Sequence, residues 1–225
     1  MAWRSLAAVD FLYPVLYEPA GIGEHIDNFG PKNRYKRGFE QTSRVEREAL
    51  FAAIARSIRN HGRGLESLSY RGPDGNALAL LRAPEMVHLR DVARLVHSLE
   101  IAGLLALALL AFQIVVLRRQ ERRLPGAGRM LGVTALGVAG VAALVTAFGP
   151  RKVFYALHEV IFPADHQWFF YYQDSLMSTM MKAPFLFGYI AVALVALALL
   201  YLWLLFGVAA WATGRPLSRS RNAPG

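Results

Sequence analysis

The sequence contains no cysteine among its 225 residues. This absence excludes disulfide bonds, thiolate metal ligands and a cysteine nucleophile. Charged residues are missing from two long stretches, residues 130–149 and 184–212. An apolar run of about 18 residues or more without charge is typical of a membrane-spanning helix. The two runs therefore exclude a soluble globular protein, and a hydrophobic content of 55% excludes an intrinsically disordered chain.

Acidic residues are also few, since 16 Asp and Glu stand against 25 Lys and Arg and leave a net charge of +9. The arginines are spread over every polar segment and do not form a single patch. We therefore interpret them as anchors beside phospholipid headgroups. A nucleic-acid partner is not expected from this distribution.

The hydropathy pattern predicts an all-α polytopic membrane protein with four transmembrane helices. The second, third and fourth cover residues 98–117, 130–149 and 184–212. The first, within residues 1–19, is short and is interrupted by Asp10 and Pro14. This first segment leaves three interpretations open: a spanning helix, a distorted or interfacial helix, or the remaining end of a longer helix.

Arginine placement predicts the orientation of these helices. The loop over residues 118–129 carries five arginines against one acid, Glu121, and the tail over residues 213–225 carries three more. Positive residues favour the cytoplasmic side, so residues 20–97 and 150–183 are expected on the opposite, extracytoplasmic side. All six histidines lie in these two extracytoplasmic segments.

Residues 20–97 are expected to form a small α/β cap. Residues 42–60 have the pattern of an amphipathic helix, with Ser43 or its neighbour as the N-cap and Glu46 placed for a capping box. Residues 65–81 contain two short runs around the turn-forming sequence RGPDGN, a pattern typical of a β-hairpin.

His88 and Asp91 lie three residues apart on the polar helical stretch that leads into the second transmembrane helix. At that spacing the carboxylate can reach the imidazole, fix its tautomer and stabilise its protonated form. Surface pairs of this kind are common, so an exposed histidine beside an exposed aspartate is the alternative interpretation.

The predicted loop over residues 150–183 is rich in aromatic side chains, with eight among its 34 residues. Phe154, His158 and Phe162 recur at intervals of four and therefore share one helical face. Trp168 and its aromatic neighbours suit a membrane–water interface. The pattern allows two interpretations: an interfacial aromatic belt around a structural histidine, or an imidazole that reaches a lipid ester at headgroup depth.

Two motifs make the chain similar to the family of bacterial lipoprotein intramolecular transacylases, Lit. The first has the form E-x-x-H-x-x-D-V and runs into a transmembrane helix. The second has the form H-E-x-x-F-x-x-x-x-x-W-x-F and is followed by an Asp and a Pro-Phe that leads into the last helix. The matching residues are Glu85, His88, Asp91, Val92, His158, Glu159, Phe162, Trp168, Phe170, Asp174, Pro184 and Phe185. Tyr171 departs from the resemblance, because the family pattern has an acid there.

The resemblance implies an acyltransferase without a cofactor in the bacterial cytoplasmic membrane, with its active site on the extracytoplasmic side. Such an enzyme moves the sn-2 acyl chain of a diacylglyceryl-cysteine lipoprotein to the lipoprotein's own N-terminal α-amino group. Its partners are the lipoprotein and the membrane phospholipids. Two histidines, His88 and His158, suit general acid–base catalysis of this aminolysis without a metal ion.

The remaining candidate residues support this pair. Asp91 is expected to orient His88, and an arginine is expected to stabilise the oxyanion or bind a headgroup. The candidate arginines are Arg44, Arg90 and Arg94. The other supporting or substrate-binding candidates are Phe154, Glu159, Phe162, Trp168 and Asp174. Ser175 is an alternative nucleophile.

Two other functions stay open at this point. One is a non-enzymatic membrane protein that binds lipids or a partner through its aromatic, arginine-rich outer surface. The other is a membrane metalloprotein, because histidine and aspartate are ligands of zinc and iron. Its candidate ligands are His88, Asp91, His97, His158 and His166, although their spacing fits no familiar metal-binding signature.

Overall fold

The computed structural model describes residues 1–214, and these residues are mostly helical. They divide into two compact units, one of residues 1–99 and 151–195 and the other of residues 100–150 and 196–214. Three arginines of the predicted cytoplasmic tail lie outside the described residues: Arg215, Arg219 and Arg221.

Within the described chain, nine α-helices and two β-strands follow one another, joined by turns and short 3-10 helices. The first helices are α1 (Ala2–Ala8), α2 (Tyr13–Leu16), α3 (Ile22–Phe29) and α4 (Arg44–Arg59). The strands are β1 (Ser69–Arg71) and β2 (Ala77–Ala79). The later helices are α5 (Ala83–Arg119), α6 (Ala127–Phe148), α7 (Pro150–Ile161), α8 (Leu176–Met180) and α9 (Phe185–Gly214).

Three of the helices, α5, α6 and α9, are long and apolar enough to span a membrane. Their most apolar windows have mean hydropathies of 2.4, 2.1 and 2.6. They overlap the predicted spans over residues 98–117, 130–149 and 184–212. The polar stretch that carries His88 belongs to the same helix as the first of these spans, because α5 runs without interruption from Ala83 to Arg119.

A fourth spanning helix over residues 1–19 is not confirmed, because this segment is not one helix. α1 ends at Ala8, and the three residues 10–12 have positive φ values of 47°, 52° and 62°. Left-handed backbone of this kind interrupts a right-handed helix. The turn buries Phe11, whose ring centroid lies 4.5 Å from that of Trp3, and α2 then has only four residues. Among the described residues the structure thus contains three candidate spans.

The predicted helix over residues 42–60 and the predicted hairpin over residues 65–81 are both present, as α4 and as β1 paired antiparallel with β2. Ser43 caps α4, since its hydroxyl oxygen accepts a hydrogen bond from the backbone N–H of Glu46 at 3.2 Å. The Glu46 carboxylate, predicted to turn back towards the N-cap, accepts a bond from the backbone N–H of Arg71 at 2.9 Å. This bond joins the start of α4 to strand β1.

Tyr13 connects three parts of the unit that contains residues 1–99 and 151–195. Its side chain is fully buried, and its ring stacks on Phe51 of α4 with the centroids 4.1 Å apart. Its hydroxyl group donates a hydrogen bond to the backbone carbonyl of Met180 in α8, at 3.0 Å. One side chain therefore ties the N-terminal segment to α4 and to α8.

The variant Tyr13→Phe should lower the free energy of unfolding by about 1–2 kcal/mol, because the buried carbonyl of Met180 loses its donor while the ring packing stays. Thermal or denaturant unfolding in one detergent measures this loss. The matched control is Tyr35→Phe, since Tyr35 is 59% exposed and its ring contact with Arg82 does not need the hydroxyl group. Equal effects in the two variants would contradict the connecting role of Tyr13.

Candidate active site

His88 of α5 and His158 of α7 lie side by side although they are far apart in sequence. Their imidazole centroids are 6.5 Å apart, and the ring planes are inclined by 29°. His88 precedes the apolar part of α5, which begins near residue 98, and α7 is not among the candidate spans. The structure therefore brings together the two histidines predicted as an acid–base pair, and both lie outside the membrane-spanning stretches.

Four aromatic rings enclose the two imidazoles. Phe162 touches both of them, with its centroid 5.0 Å from that of His88 and 5.2 Å from that of His158. The shortest centroid separation, 3.9 Å, joins His158 to the phenylalanine one helical turn earlier. The enclosing residues are Phe154, Phe162, Trp168 and Phe170. Three of these four residues are predicted supporting residues, and the structure places them around the histidines.

Burial controls the charge of both imidazoles. Removal from water is the main cause that lowers the pKa of His88 to about 4; the charge on His158 lowers it further, and the negative charge of Asp91 opposes the shift. Burial also lowers the pKa of His158, although the hydrogen bond to the carbonyl of Phe154 works against that shift. Both rings are therefore neutral at pH 7, the state in which an imidazole can accept a proton.

The local helix geometry fixes the tautomer of His158. Its Nδ1 lies 2.7 Å from the carbonyl oxygen of Phe154. A carbonyl oxygen only accepts hydrogen bonds, so Nδ1 carries the hydrogen and Nε2 keeps its lone pair. By contrast, Nδ1 of His88 is buried and has no hydrogen-bond partner within residues 1–214. This site therefore holds one unsatisfied buried polar atom that a bound substrate could satisfy.

Asp91 does not orient His88 as predicted. One of its carboxylate oxygens lies 2.6 Å from Nδ1 of His166, and the other forms a short contact with the guanidinium of Arg94. His88 and Arg94 each lie three residues from Asp91 on α5. The carboxylate contacts Arg94, whose side chain is permanently charged, and does not form a hydrogen bond with His88. The partner His166 lies in a distant part of the sequence, so helical spacing gives no signal for it.

The candidate arginines have acidic partners of their own. Arg94 pairs with Asp91, and Arg90 approaches Glu66 with 3.6 Å between the nitrogen and the oxygen. Arg44 lies at the start of α4, where it pairs with Glu18 at 3.0 Å. The structure therefore does not bring Arg44 to the two histidines, contrary to the prediction.

Two predicted acidic residues have other surroundings. Glu159 is exposed on α7. Asp174 forms an ion pair with Arg34 at 3.2 Å, and the backbone N–H of Arg34 donates to the carbonyl of Gln173 at 2.8 Å. These contacts give Asp174 a structural role that joins the Tyr172–Asp174 turn to the N-terminal part of the chain.

Ser175 is engaged in structural bonds and is buried. Its hydroxyl group donates to the carboxylate of Glu85 at 2.5 Å and accepts from the backbone N–H of Ser178 at 2.9 Å, so it caps α8. Glu85 is fully buried, and its second oxygen accepts from the backbone N–H of Arg82 at 2.7 Å. Burial raises the pKa of Glu85, and the bond from Ser175 opposes that shift. These bonds account for the burial and the orientation of the Ser175 hydroxyl group, and they do not require it to act as a nucleophile.

The metal-binding alternative lacks a set of ligands in the part of the chain that the structure describes. Within residues 1–214, no three side chains of His, Asp or Glu converge on a common point that could hold a metal ion. His61 and His97 approach each other with centroids 4.6 Å apart, but this contact involves two histidines alone.

A family model described as lipoprotein intramolecular transacylase Lit matches residues 68–187, which is more than half of the chain. The matched range contains both sequence motifs, both enclosed histidines and their four aromatic neighbours. Comparisons with curated proteins and with solved structures gave no match.

The variant Ser175→Ala should destabilise the protein by about 1–2 kcal/mol more than Ser43→Ala does. Both serines cap a helix, and loss of such a cap costs about 1 kcal/mol. Ser175→Ala also removes a donor from the buried carboxylate of Glu85, whereas the capping bond of Ser43 is exposed. Unfolding of both variants in the same detergent measures the difference, and equal losses would show that the bond to Glu85 adds no stability.

The variant His88→Asn should weaken the pH dependence of stability between about pH 6.5 and pH 4. An unfolded histidine titrates near the upper value, whereas folded His88 titrates at about 4. As the pH falls through this window, the unfolded state gains a proton that the folded state does not take up. The free energy of unfolding then falls by at most about 1.4 kcal/mol per pH unit for one histidine.

Unfolding at a series of pH values measures this slope in the wild type and in the variant. Part of the slope should survive, because burial and then the charge of Lys182 lower the pKa of His25 to about 4 as well. His25→Asn is therefore the matched comparison. A slope left unchanged by His88→Asn would mean that His88 titrates normally in the folded protein.

Proposed function

Since the chain belongs to the Lit family of lipoprotein intramolecular transacylases, we propose that it moves the sn-2 acyl chain of a diacylglyceryl-cysteine lipoprotein to the α-amino group of the same cysteine. The bond between the acyl carbon and the sn-2 oxygen breaks, and an amide bond forms. The attacking amine gives up a proton, and the departing sn-2 oxygen takes one to become a hydroxyl group. The product carries an N-acyl chain and one remaining acyl chain on its glyceryl group.

The observation that carries this proposal is the pair of neutral imidazoles enclosed by aromatic rings. The transfer needs one group that accepts a proton from the amine and one that returns a proton to the leaving oxygen. His88 and His158, with centroids 6.5 Å apart and lowered pKa values, supply two such groups. Neither group requires a metal ion or a cofactor for this task.

We assign the role of the base to His158. The carbonyl of Phe154 holds the hydrogen on Nδ1, so the lone pair of Nε2 is available at rest. The same carbonyl stabilises the imidazolium that forms when Nε2 takes the proton of the amine. His88 is also neutral at rest, so it first takes a proton from the substrate ammonium ion and then donates that proton to the developing alkoxide.

The substrate supplies much of the catalytic advantage in this reaction. The amine and the ester belong to one molecule, so their collision is already intramolecular, and the enzyme mainly has to orient them and move protons. No acyl-enzyme is required in this mechanism. The engagement of the Ser175 hydroxyl group with Glu85 agrees with a direct transfer.

The aromatic enclosure suits an acyl chain and opposes a side reaction. Water that reached the ester would hydrolyse it, and the lipoprotein would lose a chain without gaining one on nitrogen. Phe162 and Phe170 are buried beside His88, so the space around this imidazole is apolar on that side. An apolar lining excludes water and accommodates hydrocarbon.

We further propose that the reaction takes place at the extracytoplasmic side of the bacterial cytoplasmic membrane, with membrane phospholipids around the lipoprotein. His88 lies ten residues before residue 98 on a continuous helix, which is about 15 Å at about 1.5 Å per residue. On a helix along the membrane normal this distance lies beyond the headgroup layer, so the proposal requires α5 to tilt, or to enter the apolar core before residue 98, for His88 to reach a lipid ester.

Mass spectrometry of lipoprotein N-termini tests this function in bacterial cells that lack other N-acylation of lipoproteins. The wild type should convert diacylglyceryl-cysteine peptides into N-acyl, S-monoacylglyceryl peptides. His88→Ala and His158→Ala should each reduce the rate by about 10²–10⁴-fold, because each removes a proton-transfer group.

The matched control is His61→Ala, since His61 is an exposed histidine whose ring contact is with His97. It should give the wild-type product at equal protein level in the membrane. Unchanged diacylglyceryl peptides in cells with well-inserted wild-type protein would refute the proposed transfer and favour a protein that only binds lipid. Full activity of either site variant would refute the two-histidine mechanism.

A further inference from the structure

Residues 162–171, which we name the aromatic segment, follow α7 and supply three of the rings around the site histidines. Phe162 contacts both imidazoles, Trp168 contacts His158, and Phe170 contacts His88. The backbone of this segment is neither helix nor strand. Its position against α5 therefore depends on its side chains.

One polar contact joins the middle of the aromatic segment to α5. Nδ1 of His166 lies 2.6 Å from a carboxylate oxygen of Asp91. The Asp91 side chain is only 4% exposed, whereas that of His166 is 29% exposed. A buried carboxylate needs donors to offset its lost hydration, and Asp91 takes them from His166 on one oxygen and from Arg94 on the other.

We propose that His166 is a positioning residue for the two site histidines, because its pairing with Asp91 holds the aromatic segment against α5 and keeps His88 and His158 enclosed. This role rests on the proposed function for its catalytic meaning. The contacts of His166 do not depend on that function. His166 lies four residues after Phe162 and four residues before Phe170. A segment fixed at its middle keeps both of these rings against His88.

The pairing has an electrostatic consequence at the site. The groups that face His88 are His158 and Asp91, and the group that faces His158 is the carbonyl of Phe154. Asp91 favours the charged form of His88, and the carbonyl of Phe154 favours the charged form of His158. Burial by the aromatic rings outweighs both effects and keeps the imidazoles neutral. If the segment detaches, water reaches the rings and their pKa values rise towards the ordinary value for histidine. The enzyme then loses its neutral base at a higher pH.

Chemical modification of histidine measures the enclosure without requiring turnover. The full-length protein in detergent is treated with diethyl pyrocarbonate at one pH, and mass spectrometry follows carbethoxylation of His88 and His158. In His166→Ala both histidines should react about tenfold faster than in the wild type, because the segment opens more often. In His61→Ala, which removes a histidine outside the site, their rates should stay at the wild-type value.

A conservative variant separates positioning from general damage. His166→Lys again places an N–H donor beside the carboxylate of Asp91 and should restore much of the protection, whereas a purely structural loss of the ring would not be restored. Asp91→Asn keeps an acceptor for the imidazole but loses the charge, so it should show intermediate protection. These comparisons use variants whose unfolding temperature in detergent matches that of the wild type.

The pH profile of the acyl transfer supplies the second measurement. In His166→Ala the acidic limb of the profile should move up by about one pH unit, because the site histidines protonate more easily when exposed. The positioning role would be overturned if, in His166→Ala, His88 reacted with diethyl pyrocarbonate at the wild-type rate and the acidic limb of the pH profile did not move. An inactive wild type whose histidines still become more reactive in His166→Ala would instead refute the proposed function and leave the positioning role intact.

Discussion

The buried carboxylate of Glu85 is the contact on which the geometry of the site depends. It accepts a hydrogen bond from the hydroxyl group of Ser175 and one from the backbone N–H of Arg82. A buried carboxylate without hydrogen-bond donors would lower the free energy of unfolding. The bond from Ser175 therefore holds the first turn of α5 against the N-terminus of α8. His88 lies one turn further along α5, and this connection therefore keeps it near the chain that precedes α8.

The site separates its charged groups from its neutral ones. Both carboxylate oxygens of Asp91 have polar partners, Arg94 on one and His166 on the other. His88 and His158 are instead surrounded by aromatic rings, and burial favours their uncharged forms. The contacts of Asp91 thus hold the polypeptide segments together. The two imidazoles become weaker bases than free histidine because the aromatic rings remove them from water.

The sequence predicts the parts of this molecule that depend on local pattern. Long apolar runs identify α5, α6 and α9, and the cap residue Ser43 identifies the start of α4. The family resemblance identifies His88 and His158 as a pair, although their spacing in the chain does not. The partner of Asp91 and the left-handed turn over residues 10–12 depend on tertiary contacts, such as burial of the aromatic ring of Phe11, and local patterns do not contain them.

Two enclosed imidazoles that are both neutral at rest cannot retain a proton from one turnover to the next. The α-amino group of the proposed substrate is an ammonium ion below about pH 8, and the amide product carries no charge. In the proposed transfer, each turnover would therefore deliver one net proton to the surrounding water. The equilibrium ratio of product to substrate then changes about tenfold per pH unit in that range. The pH at the membrane surface therefore affects the equilibrium ratio of the two lipoprotein forms, and the rate of the enzyme does not change that ratio.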